Sequence, residues 1–222
     1  MASKNRAVIV LTLLVVLGLF SLAGAIVWLG YRLQPGSESP SASSTSPTVA
    51  ATAPLDPNLL AQVPLESDRN VDYSQLRAAL QRQDWQAADR ETYERLLEAA
   101  GPQALAQGFT PQSEMDTLSC KDLRTVDRLW SQASGGKFGF TAQQSILRAL
   151  GDYRKMYDQV GWQRLSGEWL LGWNYNVQTQ RMDYKPGQEP DSTTPPPGHF
   201  PTVERGYNFG VSLDAALDRC QF

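Results

Sequence analysis

The stretch Ser119–Leu150, SCKDLRTVDRLWSQASGGKFGFTAQQSILRAL, decides the fold. Ser119 opens a helix and Asp122 stands three residues on, the Ser-x-x-Asp spacing of an N-terminal cap. Leu123, Val126, Trp130 and Ala133 recur at helical spacing and form one apolar face, which Gly135-Gly136 ends. Thr141 and Gln144 read as a capping box for a second helix carrying Ile146, Leu147 and Leu150. Two punctuated helices joined only by Gly-Gly-Lys-Phe-Gly-Phe predict a joint of fixed shape. Trp130, on the same face as Leu123 and Val126, is expected in the core.

On the N-terminal side, Leu76 and Leu80, then Trp85, Ala88, Thr92 and Leu96, mark two short amphipathic helices. Asp84 suits the N-cap of the second, and Gly101-Pro102 stops it. The pair forms an αα-hairpin, and no second copy at that period supports a repeat array. Asp89, Glu91 and Glu94, interleaved with Arg90 and Arg95, read as an exposed charged face. On the C-terminal side the helical signal fades beyond Tyr157. Trp162, Trp169, Trp173 and Tyr175 crowd together, and Trp173, Tyr175 and Val177 alternate with Asn174 and Asn176 as an extended segment. Arg181 to Pro197 reads as a long polar loop, and Ser212 to Cys220 as a last short helix capped by Ser212.

Ahead of this domain, Ala7–Gly30 is 24 residues without a charge. At 1.5 Å per residue it would make about 36 Å of helix, enough to span a bilayer. Trp28 and Tyr31 stand at its exit, where amphipathic aromatics favour the headgroup layer. Ala23-Gly24-Ala25 has the shape of a signal-peptidase site, but the apolar run continues through Leu29, too long for a signal core. The organisation expected is a single-pass N-terminal transmembrane anchor over 1–33, a disordered Ser/Pro/Ala-rich linker over 34–67 and a folded domain over 68–222. Lys4, Arg6 and the amino terminus outweigh Arg32 by only a couple of charges, a bias toward the domain lying across the membrane from the cytoplasm that leaves its side open.

The whole chain carries 20 Lys plus Arg against 23 Asp plus Glu, so no basic excess exists to neutralise phosphates, and nucleic acid is excluded as the main partner. One histidine, His199, and two cysteines, Cys120 and Cys220, leave no set with metal-site spacing. The cysteines read as buried thiols, with a bridge plausible only in an oxidising compartment. No Ser-His-Asp, Cys-His or phosphate-loop signature occurs, so the sequence predicts a protein that is not an enzyme.

The run Asp122–Trp130 followed by Phe138–Gln143 resembles the genomes-uncoupled-four family of porphyrin-binding proteins. Asp84-Trp85 with Ala88-Asp89 and Glu91-Thr92, Val160-Gly161-Trp162, and Gly198-His199-Phe200-Pro201 resemble further family motifs in the same order. Cys120 and the Arg219-Cys220 ending also look like the family. The resemblance implies an all-α fold, a cupped bundle of short helices with long aromatic-rich loops. It implies a non-enzymatic domain that binds protoporphyrin IX or Mg-protoporphyrin IX and stimulates magnesium chelatase of chlorophyll biosynthesis through its large catalytic subunit. The sequence departs from the pattern in a shorter stretch between Phe140 and Val160, in Lys137 where arginine is common, and in extra polar residues over Arg181–Thr194, a loop that borders the cup in the family.

A porphyrin is a broad apolar disc with carboxylates on one edge, so its site needs a wide apolar surface with cations at the rim. Phe138, Phe140 and Phe200, with Trp169, Trp173 and Tyr175, are the candidate surface; Lys137, Arg205 and Arg219 are the candidate partners of the propionates. His199 is assigned to the same site, read as a loop residue bonded to backbone in preference to an axial ligand. A second reading is a membrane-tethered protein-interaction module of the same fold that has lost the porphyrin.

Overall fold

The computed structural model describes residues 57–205 and 212–222. The uncharged run Ala7–Gly30 lies outside the described residues, and no helix among them is long and apolar enough to cross a membrane. The chain packs on the domain earlier than the expected boundary at residue 67. Pro57–Ala61 is a short helix (α1) whose Leu60 is buried. The Thr125 hydroxyl donates to the Glu66 carbonyl at 2.8 Å, and Arg77 donates to the Val63 carbonyl. Leucines at 60 and 65, among prolines and serines, supply apolar contacts that the composition of the linker as a whole conceals.

Helices α2 (Ser74–Gln81) and α3 (Trp85–Ala100) form the expected αα-hairpin, and Asp84 caps α3 by accepting from the Ala87 amide at 3.0 Å. Helix α4 (Pro102–Gln107) starts at Gly101, where φ is 151° and a Cβ would lie 2.4 Å from the Glu114 carboxylate. That carboxylate, from the short α5 (Gln112–Met115), accepts the amides of Gln103 and Ala104 and so caps α4 from outside.

Helix α6 (Cys120–Ser134) buries Leu123, Val126, Leu129 and Trp130 completely and stops at Gly135 in the left-handed conformation. Ser119 caps it as expected, accepting from the Lys121 amide at 3.1 Å. Asp122 does not reciprocate: its carboxylate takes the Tyr73 hydroxyl at 2.7 Å and the Asp68 amide at 3.2 Å, fastening the N-terminal chain to α6.

Helix α7 (Phe140–Leu150) replaces the expected Thr141–Gln144 box with a cap borrowed from α6. The Asp127 carboxylate accepts both the Thr141 amide at 2.8 Å and the Thr141 hydroxyl at 2.7 Å. Gly139 permits this approach, because a Cβ there would sit 2.7 Å from Asp127 Oδ1. Gln144 is buried and donates instead to Asp214 at 2.6 Å.

After α8 (Tyr153–Gln159) the expected all-α character is corrected. Trp173–Asn176 (β1) and Arg181–Tyr184 (β2) form an antiparallel hairpin that pairs Trp173 with Tyr184 and Tyr175 with Met182. The first four residues of the expected polar loop are therefore a strand. Helix α9 (Asp214–Arg219) begins without a side-chain cap, and the Ser212 hydroxyl donates to Gln112 instead. Cys120 and Cys220 are joined in a disulfide, which corrects their reading as free thiols.

Candidate functional site

The first block of predicted site residues closes into a structural joint. Gly139 N donates to the Phe200 carbonyl at 3.0 Å, and Gly198 N to the Lys137 carbonyl at 2.9 Å. Between them the buried Gln143 amide donates to the carbonyls of Gly198 and Pro201, at 3.0 and 2.8 Å. The Phe138–Phe140 turn and the Gly198–Pro201 turn are thereby one unit. Their rings face inward: Phe200 stacks on Trp130 at 5.6 Å, Phe138 meets Trp85, Trp130 and Phe200 edge-on, and Phe140 packs against Phe222. Phe138, Phe140 and Phe200 are buried with core neighbours on their faces, so they support a surface without forming it. Lys137 is exposed, its Nζ 5.1 Å from the Phe138 ring centre.

His199 is buried in the joint. Its Nδ1 lies 2.6 Å from the Val160 carbonyl, its ring meets Phe200 edge-on at 4.8 Å, and its carbonyl accepts the Trp162 indole N–H at 2.8 Å. The bond to a backbone carbonyl is the one expected of a loop residue. With the proton on Nδ1, Nε2 is a buried nitrogen without a partner. Burial holds this imidazole below its ordinary value of 6.5. The unfolded chain therefore binds a proton on His199 that the folded protein refuses, so the contribution of His199 to stability is complete above about pH 6.5 and is lost as pH falls through the window below it. Asp127, raised above 3.8 by burial, acts in the opposite sense in the acid range. The melting temperature is expected to fall between about pH 7 and 5.5, less so in His199→Asn. Equal slopes for the two proteins would contradict this.

From the joint a run of rings leads to the surface. Trp162 meets Tyr157 at 5.6 Å, Tyr157 meets Trp169 at 5.7 Å, and Trp169 meets Trp173 at 5.8 Å. Trp169 is 39 % and Tyr175 45 % exposed, and Trp173 is half-buried, so these three do present aromatic surface. Trp173 and Tyr175 share a face of the hairpin with their register partners Tyr184 and Met182.

The hairpin is held on α3 by polar contacts. Met182 N donates to the Tyr93 hydroxyl at 3.0 Å, Arg181 Nε donates to both Glu94 carboxylate oxygens at 2.9 and 3.1 Å, and the Tyr184 hydroxyl donates to Asp89 at 3.1 Å. Between hairpin and α3 opens a cleft of about 430 Å³, lined by Tyr93, Thr179 and Met182, by three arginines, Arg90, Arg181 and Arg205, and by three acids, Glu91, Glu94 and Asp183. Its volume is in the range of small-molecule sites, roughly 300–1,000 Å³.

Arg205 lies at this cleft as part of an internal network. Its guanidinium is sandwiched between the rings of Tyr93 and Tyr184, 4.2 and 4.6 Å from their centres. It sits 3.5 Å from an Asp89 carboxylate oxygen and donates to the Asp89 carbonyl at 3.2 Å, while its buried Nε has no partner. Asp89 is itself buried and accepts the Thr202 amide at 2.6 Å, the Thr202 hydroxyl and the Tyr184 hydroxyl. This corrects its placement on an exposed face. The signal was present: Asp89, Thr92, Tyr93 and Leu96 share one helical stripe, and the apolar members show that it faces inward. Burial raises both tyrosine hydroxyls, and the Asp89 charge raises Tyr184 further, so both stay protonated donors. Arg219 is brought to neither place; it donates to the Leu118 carbonyl at 2.7 Å beside the disulfide. Tyr93, Tyr184 and Thr202 are the further organising residues that no motif singled out, whereas Gln143 closes the Phe138–Gln143 run.

The chain belongs to the GUN4-like family, whose sequence pattern matches residues 66–213. It is 30 % identical over 155 residues to the Ycf53-like protein of Synechocystis, covering 68 % of this chain and 60 % of that protein. It is 30 % identical over 120 residues to the chloroplastic tetrapyrrole-binding protein of Arabidopsis thaliana, covering 54 % of this chain and 43 % of that one. The chain thus spans less than two thirds of the length of these relatives. The structure of GUN4 from Chlamydomonas reinhardtii superposes with a TM-score of 0.55 at 25 % identity, covering 73 % of this chain and 95 % of that one.

Proposed function

We propose that this protein binds a dicarboxylic porphyrin, protoporphyrin IX or Mg-protoporphyrin IX, and regulates magnesium chelatase through its large catalytic subunit. The observation that carries the reading is family membership over residues 66–213, together with a relative described as tetrapyrrole-binding. The residues present suit such a ligand: the orphaned Arg205 Nε is a buried donor at a cleft, matched to a carboxylate, and Trp173 and Tyr175 offer rings on the adjoining hairpin face. Trp169, Trp173 and Tyr175 would hold the macrocycle, and Arg205 with Arg90 its propionates. In this assignment Phe138, Phe140, His199 and Phe200 hold the joint, and Lys137 and Arg219 stand apart from the ligand. Residues 7–30 would anchor the protein to a membrane as a single-pass segment, so that it resists carbonate extraction; recovery of the full chain in the soluble fraction would sink the anchor.

The test is titration of the full chain with protoporphyrin IX while tryptophan emission is followed. Saturable quenching at micromolar porphyrin is expected, because Trp169 and Trp173 would lie against an absorbing ring. The dimethyl ester should bind about tenfold more weakly, the scale of one charge-assisted contact. Arg90→Gln should narrow that difference. Absence of saturable quenching in a folded protein would defeat the reading. The burial of Phe138, Phe140 and Phe200 favours the second reading, an interaction module without porphyrin, and that result would leave it standing.

A further inference from the structure

We propose that the Cys120–Cys220 disulfide is a redox-modification site, a clasp opened by a dithiol–disulfide oxidoreductase, which sets how tightly the C-terminal segment is held. The bond ties the first residue of α6 to the end of α9, across a sequence separation of 100 residues that spans the joint, the aromatic strip and Arg205. Its two ends differ in access. Cys220 is 1 % exposed and belongs to the core, whereas Cys120 is only partly buried, so a reductant meets the Cys120 sulfur first.

The surroundings favour opening. Cys120 is the first residue of a 15-residue helix, where the helix dipole stabilises negative charge. Independently, Arg219 Nη1 lies 3.8 Å from the Cys120 sulfur, held there by the bond of Arg219 to the Leu118 carbonyl. The Arg219 contact is already made to the sulfur of the intact bridge, and both features act more strongly on a charged thiolate than on a neutral disulfide. A bridge whose reduced form is stabilised is the more readily reduced one. In the first step the reductant's thiolate attacks the Cys120 sulfur, the S–S bond breaks, and its electron pair leaves on the Cys220 sulfur, which takes a proton. In the second step the reductant's other thiol, giving up its proton, attacks the mixed disulfide and releases Cys120 as a thiolate facing Arg219. Two electrons pass to the protein and the reductant's dithiol becomes a disulfide.

The other ties of the segment are noncovalent. Arg124 donates to the Cys220 carbonyl at 2.6 Å, Arg148 to the Phe222 carbonyl and Gln144 to Asp214, while Leu213, Ala216 and Leu217 sit in the core. Opening the clasp leaves noncovalent contacts, among them Tyr153 to Asp214, Arg219 to the Leu118 carbonyl and the Phe222 ring that covers Phe140, as the hold on residues 213–222 among the described residues. The N-terminal chain is fastened to the same end of α6, through Asp68 to Lys121 and Ser119. The clasp therefore acts at the end of α6 where residue 68 is fastened to the domain.

The experiment treats the full chain with dithiothreitol and with a thioredoxin-type reductant under native conditions, without porphyrin, and follows thiol alkylation and amide hydrogen exchange. Reduction is expected without unfolding, with exchange over 213–222 rising about tenfold or more and that of α3 unchanged. Cys120→Ser should show the same exchange without reductant. Arg219→Gln should make the bridge harder to reduce, its equilibrium constant with dithiothreitol falling several-fold. Free thiols in protein kept under oxidising conditions, a bridge reduced only when the domain unfolds, or unchanged exchange over 213–222 after reduction would each overturn the proposal. Because no porphyrin is present, failure here is separate from failure of the porphyrin reading.

Discussion

Replacing Asp89 with alanine is expected to lower stability by about 3–5 kcal/mol, the cost of breaking a buried ion pair from one side. The side chains of Asp89 and Arg205 are 1 % and 4 % exposed, so the guanidinium left behind would lose its counter-ion with little exposure to water at the cleft wall. The loss extends beyond the charge. The Thr202 amide and hydroxyl and the Tyr184 hydroxyl all donate to the same carboxylate; without it the amide is orphaned, and the two hydroxyls keep only their bond to each other. Because Tyr184 belongs to β2 and Thr202 follows the joint, the variant should also loosen the hairpin on α3. Denaturant melts of wild type, Asp89→Ala and Asp89→Asn measure this. The asparagine variant should lie between the other two, since it keeps an acceptor and gives up the charge. A loss below about 1 kcal/mol in Asp89→Ala, the size of an exposed ion pair, would show that the network is solvated.

That network shows where sequence reading reached its limit. The helices of Ser119–Leu150 were legible because their apolar spacing and glycine stops are local signals, and α6 with the Ser119 cap is found as expected. The second cap was misread for a physical reason. Thr141 and Gln144 have the right spacing, but Asp127, one helix away, competes for the same amide and wins. Spacing along one element cannot show a carboxylate approaching from another.

The same limit explains Asp89, whose acidic side chain beside Glu91 and Arg90 reads as surface until Thr202, Tyr184 and Arg205 arrive from more than 90 residues away. Half of the hairpin was visible in the alternation of Trp173, Tyr175 and Val177. The other half, Arg181–Tyr184, has no fully buried residue and was hidden in a polar, proline-containing segment. The disulfide was beyond reach, because two cysteines 100 residues apart carry no information on proximity until α9 is docked on α6. Of the candidate site, the aromatic residues were identified, but their division into a buried joint and an exposed strip is a tertiary fact.

Trp130→Ala should be as damaging as the loss of Asp89, at about 3–5 kcal/mol, by a different mechanism. The indole is fully buried, stacked on Phe200 at 5.6 Å with planes 8° apart and on Trp85 at 6.0 Å. Removing it opens a cavity where α3, α6 and the joint meet, and close-packed rings on three sides cannot collapse far enough to fill it. The indole N–H also donates to the Thr92 hydroxyl at 2.8 Å, and that hydroxyl in turn donates to the Ala88 carbonyl. Trp130→Phe separates the two contributions: it keeps much of the apolar volume and deletes the hydrogen bond, so it should cost less than Trp130→Ala, with about 1 kcal/mol assigned to the lost bond. Thermal and denaturant melts of the two variants, run beside porphyrin titrations, decide the role of the residue. A core residue lowers stability in both variants and leaves porphyrin affinity unchanged while the protein is folded. Unchanged melting with lost quenching would move Trp130 from the core to the ligand.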